Sequence, residues 1–358
     1  LAHQFARLRD AGIERVVLAT SYRADLTTPK PLLPVAGVPL LAHQFARLRD
    51  AGIERVVLAT SYRADLFDRD FAAGFQGMNI VCATEPSPMG TGGAIAHAGV
   101  MLSSAADDPV IVLNGDVLSG HDVRAQLRRH TDADADVTLH LVQVSDPRRF
   151  GCVPTNAQGR VTDFLEKMDN PVTDQINAGC YVLRRSVIDD IPTDRPVSVE
   201  RETFPGLLRS GALVEGYLES AYWLDLGTPA AYLQGSHDLV TGVLHSSALT
   251  GPIGESLLLS DAAIDPTAVI ADGSVIGQRS SVAATAWVHD SVVMDSVVIG
   301  EGTHIQRSLI GAGCFIGANC VLRDVVLGDA TTLAAGAHFE SQRIWRDDDT
   351  GDLVVEAL

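Results

Sequence analysis

The sequence is poor in basic residues and has no long apolar run. Its 358 residues include 27 Lys and Arg against 45 Asp and Glu, which gives a net charge of −18. This balance argues against binding to nucleic acid, which needs a basic surface. Any phosphate site must therefore be built locally, from backbone N–H groups, a few cations or a metal ion. Because no run reaches the roughly 20 apolar residues that span a bilayer, no membrane partner is expected.

Cysteine is also scarce, and its spacing excludes further classes of protein. The five cysteines are odd in number and contain no C-x-x-C pair. This argues against a zinc site or a disulfide framework and fits a reducing compartment. The chain does not open with a charged segment followed by an apolar one, so we expect no export signal. We therefore predict a cytoplasmic protein.

The first part of the chain, up to about Leu239, alternates between strand-like and helix-like segments. ERVVLAT, NIVCAT, PVIVLNGD and DVTLHLVQV are typical of buried strands, whereas LAHQFARLRDAG has helical spacing and a glycine at its end. This alternation predicts a Rossmann-like α/β domain with a mostly parallel sheet. Ligands of such sheets bind beyond the carboxyl ends of strands. Asn114, Gly115 and Asp116 come directly after one such strand.

The last part of the chain has a different period. Apolar residues recur every six positions, with occasional steps of five, and Gly, Ala, Ser, Asp and Asn lie between them. This predicts a left-handed parallel β-helix of hexapeptide repeats. The inward positions are predicted to be Ile264, Ile270, Ile276, Val282, Val288, Met294, Ile299, Ile305, Ile310, Ile316, Leu322, Leu327, Leu333 and Phe339. The predicted domains are residues 1–239 (α/β), 240–261 (linker), 262–340 (β-helix) and 341–358 (C-terminal tail).

Several polar motifs in the first part are ambiguous when each is taken alone. Lys30, between two prolines, has the context of a solvated loop lysine. Asp116 and Asp225 could each cap a helix or satisfy a turn, and an exposed Glu166–Lys167 ion pair would contribute little to stability. The informative segments are TTPKPLLPVAG, ATEPSPMGTGGAIAHA, VIVLNGDV, FGCVP, DFLEKMD, QINAGCYV, SVERETFP and YWLDLGTPAAYL.

Together, and in this order, these segments resemble the sugar-nucleotide pyrophosphorylase family. The resemblance runs from Thr27 to about Ser236, and the family also contains six-residue solenoids. It implies a nucleotidyltransferase that joins a nucleoside triphosphate to a sugar 1-phosphate and releases pyrophosphate. Asp116 and Asp225 would bind Mg²⁺, and Lys30 would hold the phosphates. These three are the implied catalytic residues.

The resemblance also implies two groups of substrate-binding residues. The base and ribose would be contacted by Glu85, Gly90, Thr91 and Gly92. The sugar 1-phosphate would be bound by Gly151, Glu166, Lys167, Asn177 and Gly179. In the second group Lys167 would hold the phosphate, Glu166 and Asn177 would bind sugar hydroxyls, and the glycines would allow close approach.

SVERETFP, INAGCYV and WLDLGTP are most similar to the branch of this family that uses GTP and mannose 1-phosphate. Glucose 1-phosphate with dTTP, UTP or ATP stays an alternative, as does a noncatalytic regulatory homologue that binds a sugar nucleotide. An acyltransferase activity of the solenoid is a weaker hypothesis, because His289, His304 and His338 lack a supporting pattern. The solenoid is expected to mediate either contacts between subunits of a homo-oligomer or regulation.

A duplication interrupts this pattern at the start of the chain. Residues Leu1–Leu26 are repeated without change at Leu41–Leu66, and no glycine lies between Ile13 and Gly37. In the family this place holds a glycine-rich loop of the form G-G-x-G-T-R-L-x-P, which wraps the triphosphate. Residues 1–26 are therefore interpreted as an aberrant copy that replaces the loop, with Arg23 as the nearest substitute for its arginine. An assembly or recombination error and a genuine overwritten loop both remain open.

Overall fold

The segments predicted as buried strands lie together in one seven-stranded sheet. A computed structural model describes residues 28–61, 63–165, 167–249, 254–347 and 349–358, and the backbone of residues 15–19. The strands of the sheet are β1 (Arg15–Ala19), β4 (Arg55–Thr60), β5 (Asn79–Thr84), β6 (Pro109–Asn114), β8 (Val137–Gln143), β9 (Gln175–Arg184) and β10 (Val214–Leu218). Their order across the sheet is β10-β8-β9-β6-β1-β4-β5. Of these seven strands only β9 runs antiparallel to its neighbours β6 and β8. The predicted mostly parallel α/β sheet is thus confirmed.

Helices cover both faces of this sheet. They are α1 (Leu40–Asp50), α2 (Ala64–Phe71), α3 (Gly90–Gly99), α4 (Val123–Ala133), α5 (Arg185–Asp189) and α6 (Phe204–Ser210). Strand β4 directs Val56 and Leu58 into a core with Phe45 of α1, and it directs Val57 into a second core with Ile95 of α3. This alternation is the two-residue period of a strand that is buried on both faces.

The two copies of the repeated segment contribute neighbouring strands. β1 pairs with β4 in parallel, so that Arg15 lies opposite Arg55 and Ala19 opposite Ala59. The other edge of β1 pairs with β6. The strand predicted in the first copy is therefore confirmed, and it occupies the middle of the sheet. The helix predicted before it and the residues that replace the glycine-rich loop lie outside the described part of the chain.

By its internal contacts the chain divides into one unit of Leu1–Leu33 and Leu40–Trp223, and a second unit of Pro34–Pro39 and Leu224–Leu358. The domain boundary at residue 239 was predicted from the change of sequence pattern and stays a prediction. In the second unit, a hairpin of β2 (Pro34–Val35) and β3 (Val38–Pro39) is attached to helix α7 (Pro229–Val240). The Ala36 N–H donates to Ser236 Oγ at 3.3 Å, and the Tyr232 hydroxyl donates to the Pro34 carbonyl.

The rest of the second unit is a parallel β-solenoid, as the six-residue period predicted. Val288 pairs with Ile305 and Ile305 with Leu322, so that each of these coils takes 17 residues, whereas the pairing of Ile270 with Val288 gives 18 residues for the first coil. Strand pairing begins at Ser256, before the predicted start at residue 262, and the last strands pair as an antiparallel hairpin beyond residue 340. The strands are β12 (Ser256–Leu258), β13 (Ala263–Ile264), β14 (Val269–Ala271), β15 (Ser274–Ile276), β16 (Ser281–Val282), β17 (Trp287–His289), β18 (Val292–Val293), β19 (Val298–Ile299), β20 (His304–Gln306), β21 (Leu309–Ile310), β22 (Phe315–Ile316), β23 (Val321–Leu327), β24 (Thr332–Leu333), β25 (His338–Arg346) and β26 (Leu353–Ala357).

One predicted inward position was wrong. Val293 pairs with Ile276 and Ile310 and is 1% exposed, whereas Met294 is only partly buried. The five-residue step therefore falls between Val288 and Val293, one repeat position earlier than the sequence suggested. Among the helices described, none is long and apolar enough to cross a bilayer.

This change of phase can be tested with a pair of substitutions. We expect Val293→Asn to lower the free energy of unfolding by about 3 kcal/mol, because it places an amide without partners in a dry core. Met294→Asn is the matched control, and its effect should stay below about 1 kcal/mol. Urea unfolding followed by intrinsic fluorescence measures both. A larger loss for Met294→Asn would show that Met294 occupies the inward position.

Candidate active site

The polar turn after strand β6 lies at the carboxyl edge of the parallel strands. β6 ends at Asn114, and Asp116 follows in the turn that leads to β7 (Val117–Ser119). The carboxyl ends of β1, β4 and β5 point to the same edge, because these strands are parallel to β6. Helix α4 is capped by Asp122, whose carboxylate accepts from the Ala125 N–H, so the alternative in which Asp116 caps a helix does not apply there.

Lys30 contacts Asp116 directly. It opens a short 3₁₀ turn, Lys30–Leu32, and its Nζ lies 3.1 Å from Asp116 Oδ2. The side chains are 19% and 21% exposed, so this ion pair is mostly buried. A lysine in a solvated loop would be neither paired nor buried to this extent. The structure thus brings together two of the three predicted catalytic residues.

Two of the residues predicted to bind the sugar 1-phosphate, Gly151 and Asn177, line a small cavity in the same unit. Asn177 Nδ2 donates to Glu200 Oε1 and to the Tyr181 hydroxyl, both at 3.0 Å, and its Oδ1 accepts from the Gly179 N–H at 3.1 Å. The amide of Asn177 is therefore held in one orientation. The cavity is lined by Phe150, Gly151, Cys152, Val153, Phe164, Leu165, Asn177 and Glu200.

Gly179 connects this cavity with the Asp116 turn. Its φ is +76°, and a Cβ at this position would lie 2.8 Å from Asn114 Nδ2. A side chain would therefore be strained and would also displace Asn114. The strand carrying Asn177 can lie this close to the end of β6 only because residue 179 is glycine.

The predicted base-binding residues lie at the end of β5 and the start of α3. Glu85 is half-buried, and burial raises the pKa of its carboxyl. Its Oε1 is buried and has no hydrogen-bond partner among the described residues. A buried acceptor of this kind suits a ligand that brings an N–H or O–H donor.

The glycine turn before α3 packs against another segment of the chain. The Gly92 N–H donates to the Val197 carbonyl at 2.8 Å, and a Cβ on Gly90 would lie 2.6 Å from the same oxygen. The Thr91 hydroxyl accepts from the Val199 N–H at 3.1 Å. Close packing thus accounts for both glycines, and the Gly92 N–H is already used. A contact of this turn with base and ribose stays a prediction.

The remaining predicted residues are less closely connected. Lys167 is exposed, and Glu166 lies outside the described residues. Asp225 ends strand β11 (Trp223–Asp225) and belongs to the second unit, so its pairing with Asp116 around a metal stays a prediction. Helix α7 is capped by Thr228, whose hydroxyl accepts from the Ala231 N–H, so the cap proposed as an ordinary role for Asp225 belongs to Thr228.

Two residues of this site were missed from the sequence. Glu200 lies in the quoted segment SVERETFP, but only the fold brings it to Asn177. Gln44 of α1 is 3% exposed, and its Nε2 donates to the carbonyls of Asn114 and Val117. A polar residue within the apolar pattern of LAHQFARL was the available signal for Gln44.

Comparison with known proteins decides the family. Residues 25–242 match the Nucleotidyl transferase family, and residues 252–347 match the GMPPB C-terminal domain. The chain belongs to the nucleotidyl transferase family. The family is one of transferase enzymes, and the fold predicted from the motifs is confirmed.

Several relatives of this nucleotidyl transferase carry the same name. Mannose-1-phosphate guanylyltransferase of Mycobacterium tuberculosis is 46% identical over 284 residues, which are 79% of this chain and 78% of that protein. Probable mannose-1-phosphate guanylyltransferase 2 of Arabidopsis thaliana is 32% identical over 311 residues, which are 86% of this chain and 74% of the relative. The crystal structure of HddC from Yersinia pseudotuberculosis complexed with GMP-PN superposes with a TM-score of 0.55 at 27% identity, over 63% of this chain and 99% of that chain.

The nucleotidyl transferase unit contains one further group whose composition would suit a metal. Among the described residues, His121, His140 and Glu219 lie close enough together to share an ion. The two imidazole rings, however, are stacked, with their centroids 4.1 Å apart and their planes at 18°. The lone pairs of their ring nitrogens are therefore nearly parallel and do not converge on one ion. Arg47 Nη1 also donates to His121 Nδ1 at 2.8 Å, which places a cation there. Burial lowers the pKa of both histidines, and we assign the group to packing.

The close approach at Gly179 predicts an asymmetry between two glycine substitutions. Gly211 has a φ of +82°, but no described atom lies within 4 Å of its added Cβ. We expect Gly211→Ala to cost about 1 kcal/mol through its backbone conformation alone. Gly179→Ala should cost about 2 kcal/mol more, because Asn114 must also move. Thermal unfolding of both variants measures this difference, and equal losses would contradict the close packing against Asn114.

Proposed function

We propose that this chain is a guanylyltransferase that condenses GTP with mannose 1-phosphate to give GDP-mannose and pyrophosphate. The ion pair of Lys30 with Asp116 at the carboxyl edge carries the proposal. An ammonium at this edge can attract phosphates, and the cavity of Asn177 offers polar groups in fixed orientations. The names of the relatives support the choice of substrates.

The proposed reaction is a direct in-line displacement. An oxygen of mannose 1-phosphate attacks the α-phosphorus of GTP, the bond to the bridging oxygen of the β-phosphate breaks, and pyrophosphate leaves. Lys30 stabilises the negative charge that grows on the phosphates. No protein nucleophile is needed, because positioning and charge stabilisation supply most of the rate in phosphoryl transfer.

A divalent cation, proposed to be Mg²⁺, would supply further positive charge against the triphosphate. The carboxylate of Asp116 fits such a cation, because hard cations prefer oxygen ligands and its side chain is partly exposed at the carboxyl edge. Asp225 is proposed as the second ligand. Lys30 would hold Asp116 in place before the substrates arrive.

The remaining substrate contacts are proposed from the hydrogen-bonding groups and charges of the side chains. Glu85 has a buried acceptor oxygen, and guanine offers two kinds of N–H donor on one edge, which favours GTP over ATP. The fixed amide of Asn177 and the carboxylate of Glu200 would bind sugar hydroxyls, with Glu166 as a further proposed acceptor. Lys167 would bind the phosphate of mannose 1-phosphate.

A noncatalytic homologue that binds a sugar nucleotide is the second candidate. It is favoured by the absence of glycine between Ile13 and Gly37, where the family has its triphosphate loop. Tyr22 and Leu26 resist the backbone conformations that an anion-binding loop needs.

Cytoplasmic location and assembly into a homo-oligomer through the solenoid are also proposed.

The substrates can be tested with a panel of GTP, ATP, UTP and dTTP against mannose 1-phosphate and glucose 1-phosphate, with detection of pyrophosphate. We expect the fastest release with GTP and mannose 1-phosphate. Lys30→Gln should lower kcat/KM by roughly 10²- to 10³-fold, because it removes a charge that faces the transferred phosphate. Arg279→Gln, in the solenoid, is the control and should retain full activity. Faster release with another pair of substrates would refute the assignment.

The missing loop predicts slow turnover that can be repaired. In a second chain, the family loop G-G-x-G-T-R-L-x-P replaces SYRADLTTP. We expect its turnover to rise by roughly 10²-fold, since backbone N–H groups would then surround the triphosphate. Equal turnover of the two chains would show that the loop is dispensable here. Binding of GTP without pyrophosphate release in both chains would favour the noncatalytic homologue.

A further inference from the structure

We infer that Gln44 is a positioning residue that holds Asp116 in register with Lys30, an inference that rests on the proposed function. The Gln44 Nε2 donates to the Asn114 carbonyl at 3.0 Å and to the Val117 carbonyl at 2.8 Å. These two carbonyls flank Gly115 and Asp116. One nitrogen therefore fixes both ends of the turn that carries the proposed metal ligand.

The helix that carries Gln44 also fixes the other partner of the ion pair. The first residue of α1, Leu40, donates its N–H to the Leu33 carbonyl at 3.0 Å, and the Leu33 N–H donates to the Lys30 carbonyl at 3.1 Å. Backbone bonds thus connect the start of α1 with the turn of Lys30. Since α1 is bonded to both segments, it sets the position of Lys30 relative to Asp116.

A second side chain on the same face of α1 extends this attachment. Arg47, three residues after Gln44, donates from Nη1 to the Ser119 carbonyl at 3.0 Å. Residues three apart lie on one face of a helix. The segment from Asn114 to Ser119 is therefore bonded to α1 at three carbonyls.

The turn needs this support because of its own composition. Gly115 lies in the turn, and glycine can adopt more backbone conformations than any other residue type. The turn therefore has alternative conformations in which the Asp116 carboxylate points elsewhere. Gln44 is 3% exposed, and without it two carbonyls would lose their donors in a buried place. The amide thus favours the one conformation in which Asp116 meets Lys30.

Gln126 is a matched control for Gln44. It is 0% exposed, and its Nε2 also donates to two carbonyls, those of Thr138 at 3.0 Å and Cys180 at 3.2 Å. Both carbonyls belong to strands of the sheet and not to the Asp116 turn. Loss of either glutamine should destabilise the fold, but only loss of Gln44 should disturb the turn.

The test compares Gln44→Met with Gln126→Met in the full chain by two measurements. Hydrogen–deuterium exchange should become at least tenfold faster in peptides covering residues 114–118 of Gln44→Met and should not change in Gln126→Met. Titration with Mn²⁺, followed by electron paramagnetic resonance, should show a five- to tenfold larger dissociation constant for Gln44→Met, and no change for Gln126→Met. Gln44→Asn, whose shorter amide cannot reach both carbonyls, should give intermediate values and replaces Gln44→Met if that variant does not fold.

Unchanged exchange in the turn of Gln44→Met would overturn the inference, as would equal Mn²⁺ affinity in Gln44→Met and the unsubstituted chain. Failure of the unsubstituted chain to bind Mn²⁺ would instead count against the proposed function. In that case the exchange comparison still decides whether Gln44 orders the turn.

Discussion

Parallel pairing of β6, β1 and β4 is the constraint on which the site depends. It brings the ends of these strands to one edge, and the turn of Asp116 continues from that edge. In a chain with a net charge of −18, a lysine at this place provides a local positive charge that attracts anionic substrates. The ion pair with Asp116 keeps the ammonium in position without substrate. Burial makes both charges costly, but the pair costs less than either charge would if it were buried alone.

The position of the site in the chain could be predicted because its parts lie next to strong local signals. Asp116 follows a long buried strand, and the edge rule for parallel sheets does not depend on packing details. Gln44 and Glu200 were missed because their roles arise from contacts between segments distant in sequence. The pattern around Gln44 predicts a buried helix face, and only the fold shows that this face meets the carbonyls of a turn.

The error in the solenoid has a similar cause. Val292, Val293 and Met294 are all apolar, so a six-residue period can place any of them inward. The choice is made by neighbouring coils, which align Val293 with Ile276 and Ile310. The glycine turn at the start of α3 shows that one pattern can have two explanations. Its glycines resemble an anion-binding loop, but close packing against Val197 also requires them. Local sequence gives the conformations that a segment can adopt, and its neighbours select among them.

The regular stacking of coils in the solenoid has an evolutionary consequence. Successive coils from Val288 onward repeat every 17 residues, and each coil bonds only to those above and below it. Gain or loss of a whole coil would therefore keep the hydrogen-bonded ladders aligned, whereas gain or loss of part of a coil would misalign the stack. The length of the solenoid can thus change by whole coils, while the seven-stranded sheet, whose edge leads into the turn of Asp116, has no such freedom.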